Sequence, residues 1–310
     1  EERVVSVAAI DAGTNSVRLL VAEDHAGGMR TLDRRMVITR LGQGVDRSRR
    51  LAPDAITRTL ETIADYAATC GEYDVRRLRV TGTSAVRDAA NREAFFHAVR
   101  ELTGQEPELL TGEQEASVTF AGVLSDLTES GPIMVVDIGG GSTELIYGHG
   151  SPEKLTSLDV GCVRMFEKHL HSDPPAESEL HALRTEVSVE LQSFRAVCPA
   201  PPGTRFVGVA GTLAQLATLK SGLPVYDPDV THQLVLSHGD VRLLAKRLER
   251  LPLAQRRRIT ALEPGRADVI VAGVEILLCI MESYDVAEIM VSEKDILDGL
   301  VIELLERSES

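Results

Sequence analysis

The sequence predicts an α/β chain of two packed domains, and three observations carry that expectation. Apolar, β-branched runs alternate from end to end with stretches of helical periodicity. A strand–turn–strand unit near the N-terminus returns half a chain later. The 310 residues suffice for two domains of ordinary size, each with its own core. With 43% apolar and 26% charged residues the balance is that of a soluble globular protein and excludes intrinsic disorder.

Residues 4–10 are β-branched and apolar, 11–15 (Asp-Ala-Gly-Thr-Asn) have turn chemistry, and 17–22 resume an apolar run. This hairpin favours a sheet that starts antiparallel. Apolar residues at helical spacing over 52–70, with Pro53 in the first turn, predict a helix. A strand over 78–81, a helix over 84–102, a short strand over 107–110 and a helix over 113–127 follow. After the turn at 129–132 the pattern restarts, with strands at 133–136 and 145–147 around a glycine-rich turn at 137–143. Helices are expected over 177–197, 239–251 and 266–283, and a strand at 205–210 leads into Gly211, Thr212 and a helix. Strand 288–292 and helix 295–306 close the chain. No low-complexity linker separates the halves, so they are expected to pack together.

The restart is a duplication. Placing IDAGTNSVRLLV (10–21) over VDIGGGSTELIY (136–147) sets Asp11 on Asp137 at an offset of 126, with Gly13 on Gly139, Ser16 on Ser142 and Leu19 on Leu145. An Asp ending a strand holds its carboxylate at the mouth of the sheet, where it can bind a hard cation or a water. Glycines after it let the backbone approach a ligand and aim several N–H groups at one point. Such a turn alone reads equally well as a tight hairpin. Two in one register, and three consecutive glycines in the second, point to phosphate.

Other features restrict the function. The net charge of −14 excludes a general nucleic-acid binder, since such affinity comes from a basic surplus. It does not exclude a small phosphate site, which needs only local donors. The basic runs at 47–50 and 256–258 read as solvated surface, with guidance of a long anionic chain as the lesser reading. Apolar runs are too short to span a bilayer, and no signal peptide precedes the first strand; the missing Met indicates that numbering does not begin at the native start. Four scattered cysteines without a CxxC pair predict neither thiolate metal site nor disulfide framework and fit a reducing, cytoplasmic compartment. His169 and His171 read as structural, because no third ligand lies at metal-site spacing.

Several pieces together resemble the exopolyphosphatase / guanosine pentaphosphate phosphatase (Ppx/GppA) family of the actin-like ATPase superfamily, which also holds acetate kinase, sugar kinases and heat-shock cognate proteins. They are IDAGTNSVRLLV (10–21), TGTSAVRDAAN (81–91), TGEQEA (111–116) with Gly122, DIGGGSTEL (137–145), LDVGCVRM (158–165), GVAGTLAQL (208–216), RADVIVAG (266–273) and VSEKDILDGL (291–300). DIGGGSTEL followed by GCVRM and AGT separates this family from sugar kinases and actins. The resemblance implies two ribonuclease-H-like domains with an active-site cleft between them: residues 1–128, joined by a C-terminal helix at about 295–310, and residues 129–294.

The resemblance also implies magnesium-dependent hydrolysis of phosphoanhydrides. By position Glu115 is the catalytic carboxylate, although spacing alone would make it an ordinary helix-surface residue. Gln114 stands where the family usually has Glu, and Glu113 is a weaker candidate base. Asp137 and Glu144 match positions that support magnesium, with Asp11 a third carboxylate. Gly13, Thr14, Asn15, Ser16, Gly139, Gly140, Gly141, Ser142, Thr143, Gly211 and Thr212 are expected to bind phosphate through backbone and hydroxyl groups. Arg87 is expected to add a side-chain contact, with a surface salt bridge as its other reading. Polyphosphate is the leading substrate, a guanosine pentaphosphate its close rival. A silent alarmone or polyphosphate sensor and a kinase of the same superfamily are weaker readings. Longer members carry further helical domains after the core, so a chain ending here is expected to prefer short polyphosphate. A homodimer is compatible with the sequence.

Overall fold

In the computed structural model, which describes residues 5–25, 28–128 and 131–306, β1 (Ser6–Ala12) is buried on both faces. Ala8, Ile10 and Ala12 enter one apolar cluster while Val7 and Ala9 enter another, as a period of two requires. β1 pairs antiparallel with β2 (Ser16–His25), which pairs antiparallel with β3 (Gly28–Ile38). After α1 (Val45–Ser48) and α2 (Pro53–Glu72), β4 (Arg77–Gly82) lies parallel to β1. Then come α3 (Ser84–Asp88), α4 (Arg92–Thr103), β5 (Glu108–Leu109), parallel to β4, and α5 (Gly112–Leu124). The strand order is β3-β2-β1-β4-β5.

The second sheet repeats this order. β6 (Ile133–Ile138), β7 (Thr143–Gly148) and β8 (Pro152–Leu158) form an antiparallel meander. α6 (Cys162–His169) and α7 (Glu177–Val197) precede β9 (Arg205–Val209), parallel to β6. α8 (Ala210–Ser221), α9 (Pro228–Thr231), β10 (Val235–Ser237), α10 (His238–Glu249), α11 (Leu253–Arg256), a 3-10 turn (Pro264–Arg266) and α12 (Ile270–Ser283) lead to β11 (Glu288–Val291). The order β10-β11-β9-β6-β7-β8 matches the first sheet, with β10 added at one edge. α12 is buried from Ile270 through Met281 and apolar there except for Glu275, as a core helix with one paired charge can be.

The chain divides into two units, Glu1–Ser125 with Ile296–Ser310, and Asp126–Asp295. α13 (Ile296–Glu306) sends Ile296, Leu297, Leu300, Val301 and Leu304 into the first unit's cluster with Val7, Ala9, Leu20 and Val118. It crosses α5 at Gly299, where a Cβ would come 2.0 Å from the Val118 carbonyl oxygen. Residue 4 of the expected first strand, 129 and 130 of the expected turn, and 307–310 of the expected terminal helix segment lie outside the described residues. No helix among the described residues is long and apolar enough to cross a membrane.

Several elements differ from the sequence reading. β3 was not expected, because Arg30, Asp33, Arg34 and Arg35 break its apolar pattern; it is an edge strand, where charge is tolerated and discourages further pairing. The helix expected over 84–102 is two helices, interrupted at Ala89–Asn91, where the Asn91 amide pairs with the Leu51 backbone instead of a helical neighbour. β8 and α6 were also unassigned; β8 is mostly exposed and lacks a clear apolar alternation.

Candidate active site

In the first unit, the turn between β1 and β2 is drawn tight by Gly13 N donating to Ser16 O at 3.1 Å. Its carbonyls point into the protein: Asn15 O accepts from Thr39 N and Arg40 N, and Thr14 O from Gly42 N at 2.8 Å. The N–H groups of Thr14 and Asn15 donate to no described residue. The Asn15 side chain is 5% exposed, yet neither its amide nitrogen nor its oxygen has a partner among the described residues. A buried amide left unpaired costs about 1–3 kcal/mol, so this one is poised for a ligand. Thr14 packs on Gly42, where a Cβ would lie 2.3 Å from its methyl group.

α5 begins at this unit's Thr111. Thr111 Oγ1 accepts from Gln114 N at 3.2 Å and Gln114 Oε1 accepts from Thr111 N at 2.9 Å, a reciprocal capping box. Gln serves that box as well as Glu, which accounts for Gln114 structurally. Glu113 and Gln114 are exposed, whereas Glu115 turns inward, its side chain 12% exposed. Glu115 Oε2 accepts from Arg87 Nη1 at 2.7 Å, and the same nitrogen donates to Leu110 O at 2.9 Å. Burial lifts the Glu115 carboxyl to about 6 against the opposing pull of Arg87, with Asp11 adding to the rise. A carboxylate that titrates there is placed to exchange a proton with water near neutral pH.

In the second unit the turn between β6 and β7 has the same construction. Gly139 N donates to Ser142 O at 3.0 Å, the same bond 126 positions on. Its carbonyls again face inward, Gly139 O and Gly140 O accepting from the backbone N–H groups of Cys162, Val163 and Arg164. Arg164 Nε donates to Gly141 O at 2.7 Å. The N–H groups of Gly140 and Gly141 donate to no described residue, forming an anion-attracting concavity. Gly161 has to be glycine, because a Cβ would come 2.4 Å from Gly140 O. Asp137 and Glu144 are direct cross-strand partners, both buried, and Glu144 Oε1 accepts from Ser157 Oγ at 2.6 Å. Two buried carboxylates side by side suit a hard cation that keeps most of its waters.

Gly211 and Thr212 form the first turn of α8, entered through Ala210 at φ 71°. The Arg266 guanidinium lies directly against Gly211, within 2.1 Å of where a Cβ would be. Thr212 is buried on Gly273 of α12.

Two expected site residues have partners within the protein. Asp11 is the register partner of Arg18, the position equivalent to Glu144, and pairs with its guanidinium at 2.7 Å while accepting from Thr81 Oγ1. Its charge is already matched by that guanidinium. That ion pair sets Asp11 apart from Asp137, whose register partner is another carboxylate. Thr143 Oγ1 donates to Val160 O at 2.5 Å, so its single hydroxyl proton is unavailable to phosphate. Sequence reasoning also missed Arg18 and Arg266; the signal for Arg18 was its alignment with Glu144, and for Arg266 the glycine it covers. His169 pairs with Glu186 at 2.7 Å, a structural contact.

Two α/β units of one topology, each opening on a loop with inward carbonyls and unpaired N–H groups, define a duplicated α/β protein with one such loop per unit. Residues 20–308 match the Ppx/GppA phosphatase family, and the chain belongs to it. It is 38% identical to Exopolyphosphatase 2 of Mycobacterium tuberculosis, over 96% of this chain and 98% of that protein. It is 30% identical to the guanosine-5'-triphosphate,3'-diphosphate pyrophosphatase of Vibrio parahaemolyticus, spanning 59% of that longer protein's length. The crystal structure of the Aquifex aeolicus Ppx/GppA family member superposes with a TM-score of 0.84 at 32% identity, covering 99% of this chain and all of that one.

Proposed function

We propose that this chain is an exopolyphosphatase, hydrolysing the terminal phosphoanhydride of inorganic polyphosphate and releasing orthophosphate. The observation that carries the reading is the Arg87–Glu115 pair, a buried acid held by a guanidinium and lifted to about 6 in the unit that also carries the unpaired Asn15 loop. Near-complete coverage of, and 38% identity to, a relative named exopolyphosphatase supports it.

In this mechanism Glu115 orients a water and takes its proton as the water oxygen bonds to the terminal phosphorus. The P–O bond to the shortened chain breaks, and that chain keeps the bridging oxygen. Arg87 fixes the acid and stays close to the phosphate; the loop N–H groups at 14–15, with the Asn15 amide, stabilise charge on the phosphoryl oxygens. Asp137 and Glu144 would hold Mg²⁺, which neutralises phosphate charge when bound. The test is phosphate release, with magnesium, from polyphosphate, guanosine pentaphosphate and ATP side by side. Faster release from polyphosphate is expected; release from none of them would sink the reading. The similarity to the Vibrio protein supports a second reading, guanosine pentaphosphate as substrate, which faster release from that nucleotide would favour.

A further inference from the structure

The guanidinium that holds Glu115 also borders a cavity of about 330 Å³. Arg49 and Arg92 line it with Arg87, alongside Asp88 and Glu93, over a floor of Ala89 and Ala90. The basin is preformed: Ala90 N donates to Arg49 O at 2.8 Å, and the Asn91 amide bonds both backbone groups of Leu51. Arg87 is held by Glu115, and Arg92 Nη1 donates to Arg87 O at 3.1 Å, while the ion pairs of the other two arginines are longer. Arg49 reaches Asp88 at 3.8 Å and Arg92 reaches Glu93 at 3.5 Å, the latter carboxylate 86% exposed. Loose pairs in water are readily exchanged for a phosphate that accepts in bidentate fashion.

Arg49 has a further peculiarity. It caps α1 in the left-handed conformation, φ 53° and ψ 29°, a place glycine fills without strain. The chain keeps an arginine there at a conformational cost, and that arginine borders the basin.

Building on the exopolyphosphatase reading, we propose that this basin is a second anion subsite, which binds the phosphoryl groups of linear polyphosphate lying beyond the bond that is cut, with Arg49 as a chain-length-determining residue. Each internal phosphoryl group of polyphosphate carries negative charge, and Arg87 is common to the basin and to the Glu115 pair. A tail leaving the reacting phosphate past Arg87 meets Arg49 and Arg92 next.

Arg49→Gly tests this well, because it removes the guanidinium while relieving the backbone. Its melting temperature is expected to equal or exceed that of the wild type. Its KM for long-chain polyphosphate, relative to its KM for tripolyphosphate, is expected to rise about tenfold, as loss of one charge-assisted contact implies. Arg50→Ala, the same loss of charge on an exposed neighbour that does not line the basin, should leave that ratio alone. An unchanged ratio in Arg49→Gly, or an equal rise in Arg50→Ala, overturns the subsite. Equilibrium binding of long-chain polyphosphate to the wild type and Arg49→Gly reads the subsite without turnover: weaker binding by the variant supports it, and equal binding overturns it. Failure of the wild type to release phosphate from either substrate counts against the hydrolase reading alone, and the binding comparison then decides the subsite.

Discussion

Burial and a neighbouring guanidinium pull the Glu115 proton in opposite directions, and burial wins. As a base it must be ionised, so turnover should fall as pH drops below about 6. Arg87 lowers that value, so Arg87→Gln should move the acid limb to higher pH; a pH–rate profile that does not move contradicts the pairing. Glu115→Gln should lose about a hundredfold or more in kcat while folding normally, read by phosphate release and circular dichroism. Asn15 gives a complementary case. Because its amide is buried and satisfied by no described residue, Asn15→Ala should keep or raise the melting temperature yet weaken substrate binding. A residue serving the fold would show the reverse. At the proposed Mg²⁺ pair, Asp137→Asn should raise the Mg²⁺ concentration needed for half-maximal rate by about tenfold or more. Glu115 could not be assigned from spacing, since an inward-turned acid and a solvated one look alike on a short helix; its partner Arg87 lies 28 positions away.

Among elements, the phosphate loops are shaped by what packs behind them. The 139–141 loop is held by backbone donors from the start of α6, and contact at Gly161 leaves no room for a methyl group. Gly161→Ala should therefore displace the loop, raising KM and costing about 1–3 kcal/mol of stability as overpacking does, measurable by denaturant titration. An unchanged KM would show that the loop's shape does not matter. The loops themselves were legible, because turn chemistry and glycine spacing are local. The partition of 84–102 into α3 and α4 was not: Asn91 abandons the helix for Leu51, a contact made 40 positions away. β3 escaped for a related reason, as an edge strand needs only one buried neighbour and can carry arginines along its length.

On the scale of the whole chain, stability should depend on pH through a half-buried group, Glu249, far in sequence from the glycine-rich loops. Arg184 on α7 pairs with Glu275 on α12 and reaches Glu249 at 3.4 Å, with Glu275 fully buried. Burial, then the hydrogen bond and charge of Glu275, raise the Glu249 carboxyl well above its ordinary 4.5. The folded chain thus holds a proton that the unfolded chain releases. That contribution is complete below 4.5 and is lost as pH rises through the raised folded value. The melting temperature should decline across roughly pH 5 to 8, less steeply in Glu249→Gln; identical slopes would remove the assignment. Arg184→Met should destabilise by about 3–5 kcal/mol, because it strands a buried carboxylate.

Read alone, the sequence determined the duplication, down to a hydrogen-bond register conserved at an offset of 126, because strand pairing and tight turns are fixed by neighbours in the chain. It also determined the α/β class and the family to which the chain belongs. Tertiary structure alone decided which charges meet. Arg18 and Glu144 occupy equivalent positions, yet one neutralises an aspartate and the other stands beside one. Whether a carboxylate is a base, a metal ligand or half of an ion pair depends on its burial and on the sign of the nearest charge, and for Glu115 both are set by residues distant along the chain.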